Sequence, residues 1–271
     1  MSMSRTASLT ISSARSGDIS ARDALVRPFV RHYDTLFADK DYDSDVVTLA
    51  TLTGAGATSR VLELGAGTGS HSHRLGRFCR EVVSVEIDAD FHSACAARLQ
   101  AADSRNVTLY ATPVEELPET GFDVAAAFFH VLNYIPPAAR AGFVGAIGER
   151  LVAGGRFLAD LWHAEAVERD PPREETRTKR AGGVRLLQRI SPRYVPGGAE
   201  VELDYSFEVE APGRPVERFD ERLRLHLWTR PALEATFRAA GFSHIEFRDW
   251  RDSRRAAGSV SWRVWLYARK S

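Results

Sequence analysis

The stretch Val61-Leu62-Glu63-Leu64-Gly65-Ala66-Gly67-Thr68-Gly69 constrains this chain more than any other. A short apolar run enters it and a helical pattern leaves it, so the spacing predicts a strand, a glycine turn and a helix ending about Phe78. Glycines let a backbone adopt torsions closed to other residues and pass close beneath a ligand. The free N–H groups that open the helix favour negative charge. Glu86 ends the next predicted strand, 82–87, where a carboxylate can accept both ribose hydroxyls of an adenosine ligand.

A nicotinamide or flavin dinucleotide site is the obvious competitor, and it requires G-x-G-x-x-G. Here the glycines stand at 65, 67 and 69, and Ser70 holds the place of that pattern's third glycine. Glu63, two residues before the first glycine, would oppose a pyrophosphate but suits a ligand carrying an ammonium. The residues therefore favour an amino-acid-bearing nucleotide.

Strands at 60–64, 82–87, 107–111, 124–129 and 155–161 alternate with helices at about 70–78, 91–101 and 138–151. Such alternation indicates a parallel sheet covered on both faces. Residues 1–20 are Ser-rich without hydrophobic period and read as disordered, and 21–55 read as a helical lid segment. The core is assigned to 56–168 and 229–271 and an antiparallel insertion to 169–228. Within the insertion, 169–179 reads as a charged loop, followed by strands at 184–194, 200–210 and 218–227, with turns at Pro196-Gly197-Gly198 and Pro212-Gly213. The insertion is expected to pack against the main sheet. A helix at 229–240 and strands at 244–249 and 262–268 close the chain.

The glycine loop with Glu86 resembles the first two motifs of class I S-adenosylmethionine-dependent methyltransferases. The resemblance continues in Phe122-Asp123-Val124-Ala125-Ala126-Ala127-Phe128-Phe129 and in Leu151-Val152-Ala153-Gly154-Gly155-Arg156-Phe157, similar to the family's fourth strand and the turn before its fifth. It implies an α/β, Rossmann-like, doubly wound sheet of seven strands with the last antiparallel, and S-adenosylmethionine across the strand ends. Cofactor contacts are then expected from Glu63, Gly65, Ala66, Gly67, Thr68, Gly69, Glu86, Ile87, Phe128 and Phe129. The family often has an acid after the third strand; Pro113 stands there, leaving backbone near Val114 and packing from Ile87 for the adenine.

Two flanking features look like a narrower subset, the N-methyltransferases of small amines and nucleotide-linked amino sugars. His32-Tyr33-Asp34-x-Leu36-Phe37 with Lys40-Asp41-Tyr42 resembles their N-terminal segment, and the β-rich insertion is typical of them. The resemblance implies that Tyr33 and Tyr42 close over the sulfonium end of the cofactor. His130, after the fourth strand, is the candidate base, with Tyr33 lining the methyl-transfer cavity. Asn133, Trp162 and His163 are candidate acceptor contacts, because strand ends line the crevice in such folds. The plainer alternatives are core aromatics for the tyrosines and a hydrogen-bonded structural histidine for His130.

Lysine and arginine total 36, as do aspartate and glutamate, without the basic excess of a polyanion binder, so nucleic acid is a poor partner. Cys79 and Cys95 have no metal-ligand spacing, and no metal is expected. No apolar run approaches a membrane span of about 20 residues, and no signal peptide is evident, so a cytoplasmic enzyme is expected. The acceptor is expected to be a small molecule, either an amine or a natural-product hydroxyl. A non-catalytic binding subunit is the remaining reading, and a homodimer is compatible with the sequence.

Overall fold

The computed structural model describes residues 26–194, 200–258 and 260–271. The expectation for residues 1–20, the first part of the lid segment and the turn at Pro196-Gly197-Gly198 lie outside the described residues.

Two helices come first, α1 (Pro28–Leu36) and α2 (Tyr42–Thr53). Then β1 (Arg60–Leu64), α3 (Ser70–Phe78), β2 (Glu81–Val85), α4 (Ala89–Ala101), β3 (Val107–Tyr110), β4 (Phe122–Ala127), α5 (Arg140–Arg150) and β5 (Leu151–Trp162) alternate. After α6 (Ala164–Arg169) come β6 (Glu175–Ala181), β7 (Val184–Tyr194), β8 (Glu200–Glu210) and β9 (Glu217–His226). The chain closes with α7 (Arg230–Ala239), β10 (Phe242–Asp249) and β11 (Arg263–Lys270).

The main sheet has seven strands in the order β10-β11-β5-β4-β1-β2-β3, with β11 antiparallel to both neighbours. Val61, Leu62, Leu64, Val82, Val83, Ala125, Ala126 and Leu158 are all buried, as expected for strands covered on both faces. Strand order reverses between β1 and β4, which opens a crevice beyond their carboxyl ends. Local chemistry fixes the helix starts: Asp88 accepts from the N–H groups of Asp90 and Phe91 at the start of α4, and Thr229 caps α7.

The insertion forms a separate four-stranded antiparallel sheet, β6-β7-β8-β9. Charged residues 169–179 are therefore not all loop. Glu175–Ala181 pairs with β7 as an edge strand, and its missing apolar alternation is the reason the sequence conceals it. Polar, charged edges protect a sheet from further pairing. The inner face sets Leu186, Phe207 and Val209 against Phe29 and Leu36 of α1, and Val201, Leu203 and Leu225 against Val167 of α6. The sheet thus packs through these helices and roofs the crevice instead of extending the main sheet. Cross-strand ion pairs such as Arg189–Glu208 and Arg222–Asp204 cover the outer face. Exposed pairs of this kind contribute about 0–1 kcal/mol each and chiefly keep the face wet.

Candidate active site

A cavity of about 1180 Å³ lies between the carboxyl ends of β1, β2 and β4, helix α1 and the inner face of the second sheet. One end is built by the glycine loop. Gly65, Gly67 and Gly69 all have positive φ, at 70°, 58° and 80°. A side chain on Gly65 would meet Val131 Cγ2 at 2.7 Å, so that glycine is needed for packing. A Cβ on Gly67 would meet nothing within 4 Å, and Gly67 itself lines the cavity.

The two acids of the motif behave differently. Glu86 lines the cavity; one carboxylate oxygen accepts the Gly67 N–H at 2.8 Å and the other the Asp88 N–H at 2.9 Å. Burial raises its pKa above the ordinary carboxylate range. Glu63 is buried beneath the loop and does not line the cavity. Its Oε2 accepts from Ser72 Oγ at 2.5 Å and Ser84 Oγ at 2.6 Å, and burial pushes its pKa up to about 7. Glu63 therefore braces the loop from below, whereas the sequence had suggested a direct ligand contact. Ala66, Thr68 and Gly69 likewise support the loop from outside the cavity.

Ile87, Pro113, Val114, Phe128 and Phe129 all line the cavity, and Ile87 is 71% exposed. An exposed aliphatic side chain beside Glu86 offers a flat apolar surface of the kind a base can lie on. Tyr33 also lines the cavity, edge-on to Phe91 at 5.0 Å and close to Phe37 and Phe129. Tyr42 does not. Its ring packs edge-on against His71 at 4.9 Å, flanked by Lys40 and Arg74, so it supports α2 instead of closing the cavity.

Helix α1 is fastened to the loop by hydrogen bonds and ion pairs that the sequence did not reveal. Asp34 accepts from Thr68 Oγ1 at 2.8 Å and pairs with Arg98, whose Nε donates to the Thr68 carbonyl at 2.7 Å. Arg27 pairs with Asp88 and Asp90 at the start of α4. Lys40, which lines the cavity, pairs with Asp45, and His71 Nε2 lies 2.9 Å from the same carboxylate oxygen.

His130 lines the cavity beside Phe129, Tyr134 and Trp162, with ring centroids 4.9, 6.1 and 5.8 Å away. Its Nδ1 is buried without a hydrogen-bond partner among the described residues. Burial, aided by the Arg263 cation, lowers its pKa to about 3. Burial thus works against the charged imidazole, whereas the sequence led us to expect one titrating near neutrality. Phe129 and His130 both have positive φ, and their N–H groups donate to fully buried Asp160.

Two of the three expected acceptor contacts lie elsewhere. Asn133 is completely buried; its Oδ1 accepts from Trp162 N at 2.8 Å and its Nδ2 donates to the His226 carbonyl at 3.1 Å. It stitches the turn after β4 to β5 and β9. His163 is buried beside Glu165 and Arg230, outside the cavity. Trp162 does line the cavity, stacked at 4.8 Å on Trp262. Arg177, Gln188, Ile190, Tyr205, Glu221 and Leu223 complete that end from the second sheet, and no local motif marks them.

Residues 61–155 match a family model described as a methyltransferase domain. That stretch is a methyltransferase domain. The chain is 28% identical over 138 residues to a protein-L-isoaspartate O-methyltransferase of Rhodopseudomonas palustris, an alignment covering 51% of this chain and 59% of that protein. The chain thus spans little more than half the length of that relative. Among solved structures, a S-adenosylmethionine-dependent methyltransferase from Clostridium acetobutylicum superposes with a TM-score of 0.74 at 18% identity, covering 90% of this chain and 98% of that one. CalS10, an amino pentose methyltransferase from Micromonospora echinaspora, does so with a TM-score of 0.68 at 18% identity, covering 98% of this chain and all of that one. The fold likeness therefore extends beyond the methyltransferase domain to the inserted sheet. No helix among the described residues is long and apolar enough to cross a membrane.

Proposed function

We propose that the chain transfers a methyl group from S-adenosylmethionine to an amine of a small molecule. The observation that carries this reading is the two-ended cavity, with the glycine loop and Glu86 at one end and the inner face of the second sheet at the other. The residues present fit the cofactor: open space over Gly67, a buried carboxylate at the end of β2, and the exposed apolar surface of Ile87 beside it. When bound, S-adenosylmethionine supplies a methyl group on a cationic sulfur. Tyr33, Phe37, Phe91 and Phe129 would then exclude water and limit how the acceptor approaches.

The preference for an amine rests on His130. A hydroxyl acceptor must lose its proton as it attacks, and an imidazole whose pKa lies near 3 is poorly suited to take it. A neutral amine attacks through its lone pair and needs only orientation, which the His130 ring lining the cavity can help to provide. The amino-sugar class named for CalS10 supports the same reading. Catalytic positioning is assigned to His130 and Tyr33, and acceptor contact to Trp162.

Transfer from methyl-labelled cofactor into parallel panels of amino-sugar and phenolic acceptors tests this. Label entering amines is the expected outcome. Label confined to phenols would establish the O-methyltransferase reading, and binding of cofactor without transfer to either panel would favour a binding subunit.

A further inference from the structure

Asp160 lies inside the otherwise apolar run Leu158-Ala159-Asp160-Leu161 of β5 and is completely buried. A carboxylate there is costly unless its oxygens are filled by donors. They are. Phe129 N donates to Oδ1 at 2.5 Å and His130 N to Oδ2 at 3.1 Å. Arg263 Nε donates to Oδ2 at 2.7 Å, with Nη2 2.6 Å from the same oxygen. The two N–H groups belong to consecutive residues in left-handed backbone, with φ of 65° and 53°. Such torsions are unfavourable for side chains larger than glycine and persist where surrounding contacts over-determine them. Arg263 completes the arrangement from β11, its guanidinium 5.6 Å from the Phe129 ring centroid and 4.2 Å from that of Trp250. Phe129, His130, Trp250 and Arg263 all line the cavity, whereas Asp160 does not.

We propose that Asp160 is a positioning residue: by holding both N–H groups of the Phe129–His130 turn and the Arg263 guanidinium, it sets the imidazole and the aromatic wall against the acceptor. This rests on the methyltransferase reading of the cavity and adds to it a residue that touches neither ligand. Only a carboxylate satisfies the site. The amide of asparagine would put an NH2 group against an N–H donor and leave the Arg263 charge buried without its counter-ion.

The test uses Asp160→Asn and Arg263→Gln in the full chain, with S-adenosylhomocysteine as the binding probe. In Asp160→Asn, amide hydrogen exchange of Phe129 and His130 should speed up by at least about tenfold, the equivalent of one lost hydrogen bond. Affinity for S-adenosylhomocysteine should change less than threefold, and transfer to an amine acceptor should fall by about 10²-fold in kcat. His130 provides a readout that a purely structural role would not move. Losing a carboxylate that favours protonation would by itself lower its titration further. A released turn instead brings the ring to water, so its ¹⁵N NMR titration should rise toward the ordinary imidazole range. Arg263→Gln keeps the turn's two hydrogen bonds and removes the nearest cation, so His130 should titrate above the wild-type value while both amides stay protected. That variant decides the matter if Asp160→Asn does not fold. Unchanged exchange with a lowered His130 titration in Asp160→Asn, or an unmoved titration in Arg263→Gln, would overturn the proposal. Failure of the wild-type chain to bind S-adenosylhomocysteine would instead sink the methyltransferase reading and leave the turn measurements standing.

Discussion

The Glu86 carboxylate accepts the Gly67 N–H at 2.8 Å, tying the end of β2 to the glycine loop that follows β1. Its other oxygen accepts from Asp88 N, so both are committed to backbone donors while the group faces the cavity. In Glu86→Gln an NH2 group must face one of those N–H groups. S-adenosylhomocysteine affinity should fall by about 1.5–3 kcal/mol, read by titration calorimetry. Unchanged affinity would mean that Glu86 serves the loop alone. Because burial raises its pKa, wild-type affinity should also weaken on acidification at a higher pH than an ordinary carboxylate would cause.

Glu63 offers the contrast. Its carboxylate is held by Ser72 and Ser84 beneath the loop, and a glutamine oxygen can accept from both hydroxyls. Glu63→Gln should therefore cost much less cofactor affinity than Glu86→Gln. The folded-state pKa of about 7 lies above the ordinary value of 4.5, so the folded state holds its proton more tightly than the unfolded state. Stability from this group is fully present below about pH 4.5 and is lost as pH rises through 7. The loss amounts to about 3 kcal/mol. Urea unfolding at pH 5 and pH 8 should show that decline in the wild type and a flatter profile in Glu63→Gln. Equal slopes would remove Glu63 as its source.

The main sheet was legible because buried parallel strands write continuous apolar runs, and because the glycine loop and Glu86 fix where β1 and β2 end. The second sheet was legible in β7, β8 and β9, where inward Val201, Leu203, Tyr205, Phe207 and Val209 alternate with polar residues. It failed at β6, whose edge position asks for little apolar surface. Of the residues expected near the loop, Gly65, Gly67, Glu86 and Ile87 line the cavity, because their spacing is set by a local turn. Asp160, Arg263, Asp34 and Arg98 meet the site only through the folded topology. Asp160 carried one available signal, a lone acid in an apolar strand. Asn133 and His163 were misplaced because proximity to a strand end does not fix which way a side chain points, and both turned toward buried backbone and ion-pair partners.

Asn133 gives a separable prediction. Its amide is fully buried and engaged at both ends by backbone of β5 and β9. Asn133→Ala should lower unfolding free energy by about 1–3 kcal/mol, since it leaves buried donors and acceptors unpaired. S-adenosylhomocysteine affinity should stay near wild type. Selective loss of transfer with full stability would return Asn133 to the acceptor site.

Helix α1 is held to the glycine loop by Asp34 through Thr68 and Arg98. Asp34→Ala should speed S-adenosylhomocysteine dissociation in stopped flow by about tenfold, the equivalent of one or two hydrogen bonds. An unaltered off-rate would show that α1 does not gate the cavity.

His130 predicts the shape of the pH profile. With its pKa near 3 it stays neutral across the working range, so kcat/KM should show no acid limb near pH 6.5 from this residue. The rise with pH should follow the acceptor amine, and in His130→Ala the level should drop without a change of shape. A wild-type limb near pH 6.5 that His130→Ala abolishes would restore it as the titrating base.

Calorimetric titration of the purified chain with S-adenosylmethionine, beside NAD and beside the Gly67→Val variant, bears most directly on the cavity. Gly67 has φ 58° and open space above it, so valine there would be strained and would occupy the ligand's space. The expected result is a single site for S-adenosylmethionine in the wild type, none in Gly67→Val despite a folded far-ultraviolet spectrum, and no binding of NAD. Tight binding of NAD with none of S-adenosylmethionine, or undiminished S-adenosylmethionine binding in folded Gly67→Val, would contradict the assignment of the glycine-loop end to the methyl donor.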